Sequence, residues 1–322
     1  MTSPDGPRVI HTAQALVDAV LEVSALPRRG GNVMAGAYER YAGGAVTTLV
    51  AAARSGATCV HAGAHGTGPD GDLVRAALAA DGVTLSAPAV PDEDTGVCVV
   101  LLEPSAQRTF VTTQLAERRI SEESLQTSRP RPGDLVCVSG YSLVGRTRDP
   151  LLAWLDTLPD GVEVVLDPGD VFAELDPSVA ARALDLCTVW TSNAEEAHAL
   201  IGETDMTAAA GAVLARLPAG AVAVVRDGPR GCALATSADE VVTLPGHPEE
   251  AVDTNGAGDT HTGVLLAERA QGRDWVQACR RANAAGAITV TRRGPATAPT
   301  AAEIDAYLAG LGQAARVSTS LA

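Results

Sequence analysis

Short apolar runs rich in β-branched residues alternate with segments of helical periodicity along most of the chain. The runs fall at 9–10, 58–61, 135–139, 162–167, 188–192 and 221–226. Helical patterns lie between or after them, near 45–55, 71–81, 149–158, 178–186, 194–201 and 207–217, with a further helix-like run at 260–271. An apolar strand followed by a helix, repeated in this way, predicts a mostly parallel sheet with helices on both faces, an α/β fold of the doubly wound kind. Two regions break the rhythm. Residues 25–41 hold no clear helix, and 95–113 read as two alternating strands, 96–102 and 108–113, around a turn at 103–107. These predict a small accessory sheet. The tail 312–322 is small and polar and is expected to fray. No fixed-period repeat or linker divides the chain, so residues 1–322 read as one domain.

Composition narrows the function classes. The 322 residues are 46% hydrophobic but only 3% aromatic, so the core must be mostly Ala, Val and Leu. A formal charge of −15 argues against a nucleic-acid partner, though not against a local pocket for a small anion. No apolar run reaches membrane-spanning length and the first eight residues lack a signal-peptide pattern, which predicts a cytoplasmic protein with no membrane partner. Cys59, Cys98, Cys137, Cys187, Cys232 and Cys279 lie singly, mostly in apolar segments, and read as buried reduced thiols. All 24 basic residues are arginines. A chain without lysine cannot be a Schiff-base enzyme, a P-loop NTPase with its phosphate-loop Lys, or a protein kinase with its strand Lys. Phosphates would have to be held by backbone amides, Arg and a divalent metal.

The chemistry concentrates in Asp253-Thr254-Asn255-Gly256-Ala257-Gly258-Asp259. A small-residue turn opening a helix exposes backbone N–H groups that form an anion site without side chains. Asp259 then stands where a hydroxyl could be deprotonated beside a phosphate. Taken alone, the same run also serves an ordinary strand-to-helix turn with an Asp cap. Gly43-Gly44 precedes the helical pattern containing Thr47 and Thr48, where paired glycines permit close ligand approach or tight packing. Asp18 could accept hydrogen bonds from two sugar hydroxyls or cap a helix. Asn193 and Glu196 have the spacing of a capping box, and Glu196 could equally stand near a hydrated Mg²⁺. Residues Val224 to Gly231 end a strand in a turn that borders a nucleotide or closes a hairpin.

In this order, the set resembles the ribokinase-like (PfkB) carbohydrate kinase family over nearly the whole chain. The family's Asp-Thr-x-Gly-Ala-Gly-Asp run is matched in full by residues 253–259, its Gly-Gly pair by Gly43 and Gly44, and its Asn-x-x-Glu motif by Asn193 and Glu196. Its sugar-contacting Asp matches Asp18, and its lid strand matches Arg108-Thr109-Phe110. The resemblance implies a ribokinase-like α/β core with a small β-sheet lid built from about 12–42 and 92–117. It implies an ATP- and Mg²⁺-dependent kinase acting on a hydroxyl of a sugar or sugar-like molecule. Asp259 would be the general base and Gly256, Ala257 and Gly258 the anion hole. Asp18, Gly43, Gly44, Thr47, Thr48 and Arg108 would contact the acceptor. Asn193, Glu196, Arg226, Gly228, Gly231, Asn255 and Asn283 would border ATP, with Glu196 holding Mg²⁺ through water. Asp253 and the Arg292-Arg293-Gly294 loop would lie near a monovalent-cation site, often K⁺ in this family. An exposed lid edge would support a homodimer.

Four positions depart from the family pattern. Thr47 and Thr48 stand where a sugar-binding Asn is usual, Gly68 replaces the Asp of a Gly-x-Asp-x-x-Gly segment, and Arg226 replaces a Thr. The strand end Ser139-Gly140-Tyr141 brings no acidic sugar ligand. None is expected to touch Asp259, so the expected chemistry stands while the acceptor stays open between sugar and nucleoside. Two other classes remain: a non-catalytic sugar- or nucleotide-binding protein, and a dinucleotide-dependent oxidoreductase. The latter needs a Gly-x-Gly-x-x-Gly turn after the first strand, where this chain has Thr12-Ala13-Gln14.

Overall fold

Residues of the apolar runs turn alternately to opposite faces of one sheet, and both faces are buried. The structure is a computed structural model describing residues 6–105, 107–237, 240–295 and 297–320, with side chains described as far as Gly312. Its strands are β1 (Arg8–His11), β2 (Ala15–Glu22), β3 (Ala37–Gly44), β4 (Thr58–His61), β5 (Thr84–Leu85), β6 (Val97–Leu102), β7 (Arg108–Thr112), β8 (Leu135–Ser139), β9 (Glu163–Asp167), β10 (Val189–Asn193), β11 (Val222–Arg226), β12 (Gly231–Ser237) and β13 (Glu240–Pro245). Its helices are α1 (Ala45–Arg54), α2 (Pro69–Ala80), α3 (Glu122–Gln126), α4 (Arg148–Leu155), α5 (Pro177–Leu186), α6 (Ala194–Ile201), α7 (Met206–Leu214), α8 (Ala257–Ala270), α9 (Trp275–Val290) and α10 (Ala301–Ser320). The tail expected to fray runs into α10 as far as Ser320; its side chains beyond Gly312 and its last two residues lie outside the described residues.

The large sheet has the order β13-β12-β11-β10-β9-β8-β1-β4-β5. From β11 to β5 every pairing is parallel, while β12 and β13 are antiparallel. Ile10, Val136, Val138, Trp190 and Val225 face one layer, which holds Leu151, Trp154, Leu184 and Val213 from α4, α5 and α7. Val9, Leu135, Cys137 and Val189 face the other, with Leu49 of α1, Val74 of α2 and Leu266 of α8. Val222 and Val224 join that side beneath α8 and α9. This double burial is why the strands read as continuous apolar runs. The strand order departs in two directions from β1, toward β4 and toward β8. At such a switch point the loops beyond the carboxyl ends diverge and leave a crevice. All six cysteines are buried and free. No helix among the described residues is long and apolar enough to cross a membrane.

The two regions that break the rhythm form a second sheet, β3-β2-β6-β7. β2 runs parallel to β6, with β3 and β7 antiparallel at the edges. Pairing places Asp18, Cys98 and Thr112 in one row, so Asp18, Glu22, Arg108 and Phe110 share a face. The Gly68 departure is compensated from a distance. The Asp94 carboxylate accepts from Asp70 N at 3.1 Å and Gly71 N at 2.9 Å, capping α2. A Cβ on residue 68 would overlap that same carboxylate.

Helix α8 lies against α1 at Gly263. An added Cβ there would overlap Thr48 O and stand 2.8 Å from Ala51 Cβ. Gly263→Ala is therefore expected to lower stability by about 1–3 kcal/mol through overpacking. Gly211 in α7 meets nothing nearer than Val241 Cγ2 at 3.6 Å. Gly211→Ala should raise stability by about 0.5–1 kcal/mol, as Gly→Ala does in a helix interior. Urea midpoints of the two variants check both signs.

Candidate active site

The segment 253–259 is held as a fixed loop before α8 begins. Asp253 accepts from Asn255 N at 2.9 Å and from Gly294 N at 3.0 Å, tying this loop to the turn after α9. Gly256 caps α8 with φ 75°, a left-handed conformation. A Cβ on it would stand 2.9 Å from Pro295 O and 3.0 Å from Thr47 Cγ2, so the site excludes larger residues twice over. Ala257, Gly258 and Asp259 form the first turn, whose N–H groups have no acceptor within the helix. Thr48 Oγ1 donates to Asp259 Oδ1 at 3.2 Å. Burial and the charge of Asp167 push the Asp259 carboxyl up to about 6, against Arg226 and the Thr48 hydroxyl.

Asp18 comes to the same place from the small sheet. Burial and the Asp259 charge push its carboxyl up to about 7, with Arg108 opposing. Gly43 lies directly against it, since a Cβ there would overlap the Asp18 carboxylate. Gly44 caps α1. Contrary to the expectation that the departing positions leave Asp259 and its turn untouched, Thr48 turns its hydroxyl to Asp259 and Thr47 packs its methyl near Gly256, because α1 lies directly against the start of α8. Arg108 Nη2 donates to Thr254 Oγ1 at 2.6 Å, and Arg293 pairs with Glu22 at 2.5 Å. These bonds fasten the small sheet to both loops at the α8 end.

A second acidic group lies beyond Asp259. Asn193 and Glu196 do form a capping box at the start of α6, with bonds of 2.8 and 2.7 Å. Burial and the charge of Asp167 raise Glu196 to about 7, with Arg226 again opposing. Arg226 Nη1 donates to Thr191 Oγ1 at 3.0 Å, Thr262 Oγ1 at 2.5 Å and Gly258 O at 3.3 Å. Its Nη2 stands 3.6 Å from Asp167 Oδ2. The Arg that replaces the usual Thr is thus anchored against the first turns of α8. Asp167, the last residue of β9, is the member that sequence reasoning missed. Its signal was available: a carboxylate ending an apolar run, at the strand end where α/β sheets hold ligands.

Other expected residues lie farther out. β11 and β12 pair antiparallel around Gly228–Arg230, so residues 224–231 are a hairpin, with Gly228 on its exposed turn and Gly231 buried. Asn283 is buried in α9, its amide donating to Leu244 O and Pro245 O at 3.3 and 3.1 Å and its Oδ1 lying 3.0 Å from His261 Nε2. His261 is a packing residue. Among the described residues, no three His, Cys, Asp or Glu side chains converge as a metal cage.

The raised carboxyls carry a stability cost. Because the folded-state value of Asp18 lies above its ordinary one, its charge opposes folding fully above pH 7, and the penalty fades as pH falls toward 4. Asp18→Asn should therefore stabilise the fold by about 1–3 kcal/mol at pH 8, with the gain shrinking toward zero near pH 4. Denaturant titrations at several pH values check this.

Comparison with known proteins places this geometry. The pfkB family carbohydrate kinase model matches residues 8–302. The chain is 29% identical over 300 residues to the uncharacterized sugar kinase YegV of Escherichia coli (strain K12), covering 92% of each. It is 29% identical over 306 residues to the ATP-dependent ribose-1-phosphate kinase of Halopiger xanaduensis, covering 94% of this chain and 98% of that one. The E. coli crystal structure of "a putative Ribokinase II in complex with ATP and Mg+2" aligns with TM-score 0.80 at 24% identity, covering 94% of this chain and 99% of that one. That last likeness carries the fold, a large mixed sheet flanked by helices plus a second small sheet. The chain belongs to the pfkB family of carbohydrate kinases.

Proposed function

We propose that the protein transfers the γ-phosphoryl group of ATP to a hydroxyl of a sugar or sugar-like small molecule, with Asp259 as general base. One observation carries this: the Asp259 carboxylate stands in the first turn of α8, beside N–H groups with no acceptor in the helix and bonded to Thr48 Oγ1 at 3.2 Å. Burial and the Asp167 charge push its carboxyl up to about 6, so that it is ionised at neutral pH yet still accepts a proton. Asp18, Gly43, Gly44, Thr48 and Arg108 bind the acceptor, with Asp18 accepting from its hydroxyls. Asp259 takes the proton of the reacting hydroxyl. The new bond forms between the acceptor oxygen and the γ-phosphorus as the bond to the ADP oxygen breaks. The N–H groups of 256–258 and the α8 dipole take up charge on the transferred group.

Mg²⁺ fits the donor set of Asp167 and Glu196, whose mutual repulsion calls for a cation and whose number suits a largely hydrated ion. When bound, it neutralises charge on the ATP phosphates. Asn193, Asn255, Arg226, Gly228, Gly231 and Asn283 are assigned to the nucleotide side. K⁺ is assigned beside Asp253, whose two oxygens each keep a lone pair beyond the N–H they accept. Segments 12–42 and 92–117, carrying the small sheet, act as a lid on a single domain and exclude water on closure. Tyr38 and Val111, exposed on the two edge strands, support a homodimer through the lid. The six free buried thiols support a cytoplasmic setting. A nucleoside acceptor is the second reading, favoured by Phe110, which is exposed on the face that bears Asp18 and Arg108.

The test is Mg²⁺-dependent ADP release from ATP across pentoses, hexoses, keto-sugar acids and nucleosides. One acceptor class should turn over, and Asp259→Asn should lower kcat by about 100- to 10,000-fold. The rate should fall as pH drops below about 6, where Asp259 becomes protonated. Absence of turnover with every acceptor, despite thermal stabilisation by ATP or sugar, would favour a binding protein.

A further inference from the structure

Two of the six buried thiols are brought together by the packing of α9 on the antiparallel edge of the large sheet. Cys232 begins β12 beside Gly231, Cys279 lies in α9, and neither has exposed surface. Both belong to one apolar cluster with Leu244, Val264 and Ala282. In the sheet, Cys232 stands opposite Leu244 of β13. From the helix, the Asn283 amide donates to Leu244 O and Pro245 O at 3.3 and 3.1 Å. Cys279 is one turn before Asn283 on the same face of α9. That face therefore lies over the Cys232 row, and the two thiols hydrogen-bond to each other.

Their surroundings make the two sulfurs unequal. Cys232 also meets the side chains of His261 and Asn283. These two are themselves joined, His261 Nε2 to Asn283 Oδ1 at 3.0 Å, while His261 Nδ1 is buried without a hydrogen-bond partner. Hydrogen bonding by Cys279, His261 and Asn283 holds the Cys232 thiol well below its ordinary value, against burial. The bond to Cys232 and burial hold Cys279 above its own, with Arg269 opposing. One sulfur thus has thiolate character and touches a second that keeps its proton, as an attacking and a resolving cysteine do. The other four cysteines lack this arrangement. Burial raises the thiols of Cys59, Cys98, Cys137 and Cys187. Cys59 and Cys137 lie on β4 and β8 with β1 between them, two strand spacings or about 10 Å apart, too far to bridge.

We propose that Cys232 and Cys279 are an oxidisable dithiol, which hydrogen peroxide converts to a disulfide between β12 and α9. The Cys232 thiolate attacks one peroxide oxygen and the O–O bond breaks. Cys232 becomes a sulfenic acid, and the released hydroxide takes up the proton that the thiol had lost, leaving as water. The Cys279 sulfur then attacks the Cys232 sulfur. The S–S bond forms, the S–O bond breaks, and the hydroxyl leaves as water with the Cys279 proton. Two thiols are oxidised and one peroxide is reduced to two waters. β13 is a half-exposed edge strand, so peroxide enters by local opening of its contact with α9. Phosphoryl transfer uses neither thiol, and the dithiol stands whatever the acceptor.

The test exposes the folded full chain to hydrogen peroxide, alkylates the remaining thiols in denaturant and maps the peptides by mass. Wild type should lose two hydrogens per chain, yield a peptide pair joining Cys232 to Cys279, and regain all six thiols with dithiothreitol. In C279S, dimedone should trap Cys232 as the sulfenic acid at least about tenfold faster than Cys59 or Cys137. In C232S, Cys279 should stay a free thiol under the same exposure. The wild-type map decides the matter even where a variant folds poorly. Six intact wild-type thiols, after an exposure that oxidises free cysteine in the same tube, overturn the proposal. So does a disulfide that joins any other pair, or sulfenic acid trapped first at Cys279.

Discussion

The approach of α8 to α1 sets the rest of the site. Two glycines seven residues apart, Gly256 and Gly263, lie on one face of α8, and a side chain at either would strike α1 or the loop beside it. Through that contact the Thr47 methyl meets the helix cap and the Thr48 hydroxyl meets Asp259. The orientation of the proposed base is thus a product of helix packing. A chain with only 3% aromatics and a core rich in alanine is suited to such close approach. The N-terminal Gly-Gly pair feeds the same contact, since it delivers α1 to this position and lies against Asp18.

Around this contact the protein concentrates like charges. Asp18, Asp259, Asp167 and Glu196 follow one another as neighbouring charges, and burial together with pairwise repulsion raises Asp18, Asp259 and Glu196. Arg108 tempers Asp18, and Arg226 tempers Glu196 and Asp259. The anchoring of Arg226 to Thr191, Thr262, Asp167 and Gly258 O makes its charge part of the scaffold rather than a mobile arm. A chain without lysine has placed a rigid, permanently charged guanidinium at this point. The arrangement trades folding stability for the proposed cation and phosphate site.

Much of this was legible in the sequence because its causes are local. A parallel sheet buried on both faces writes itself as apolar runs, and the 253–259 loop carries its turn, cap and carboxylate within seven residues. The capping box of Asn193 and Glu196 is equally local. What was not legible depends on partners distant in the chain. Arg108 meets Thr254 across 146 positions, and Asp167 gains its meaning from Arg226 and Thr262. Asp94 caps α2 in place of a residue missing at 68. β12 and β13 were not legible because β12, though buried between its neighbours, is built mostly of small residues with little β-branching, and β13 is a half-exposed edge strand. Asn283 reads as a nucleotide neighbour from its family position, but its amide is engaged with the end of β13 and with His261.

The central claim is that the α8 N-terminus and Asp259 together form the phosphoryl-transfer centre. A crystal structure with a non-hydrolysable ATP analogue, Mg²⁺ and the acceptor tests it most directly. The account predicts the γ-phosphoryl group over the amides of Gly256 to Gly258, with an acceptor hydroxyl about 2.6–3.2 Å from an Asp259 oxygen. A γ-phosphoryl group bound away from that turn, or an acceptor whose hydroxyls all lie beyond reach of Asp259, would contradict it.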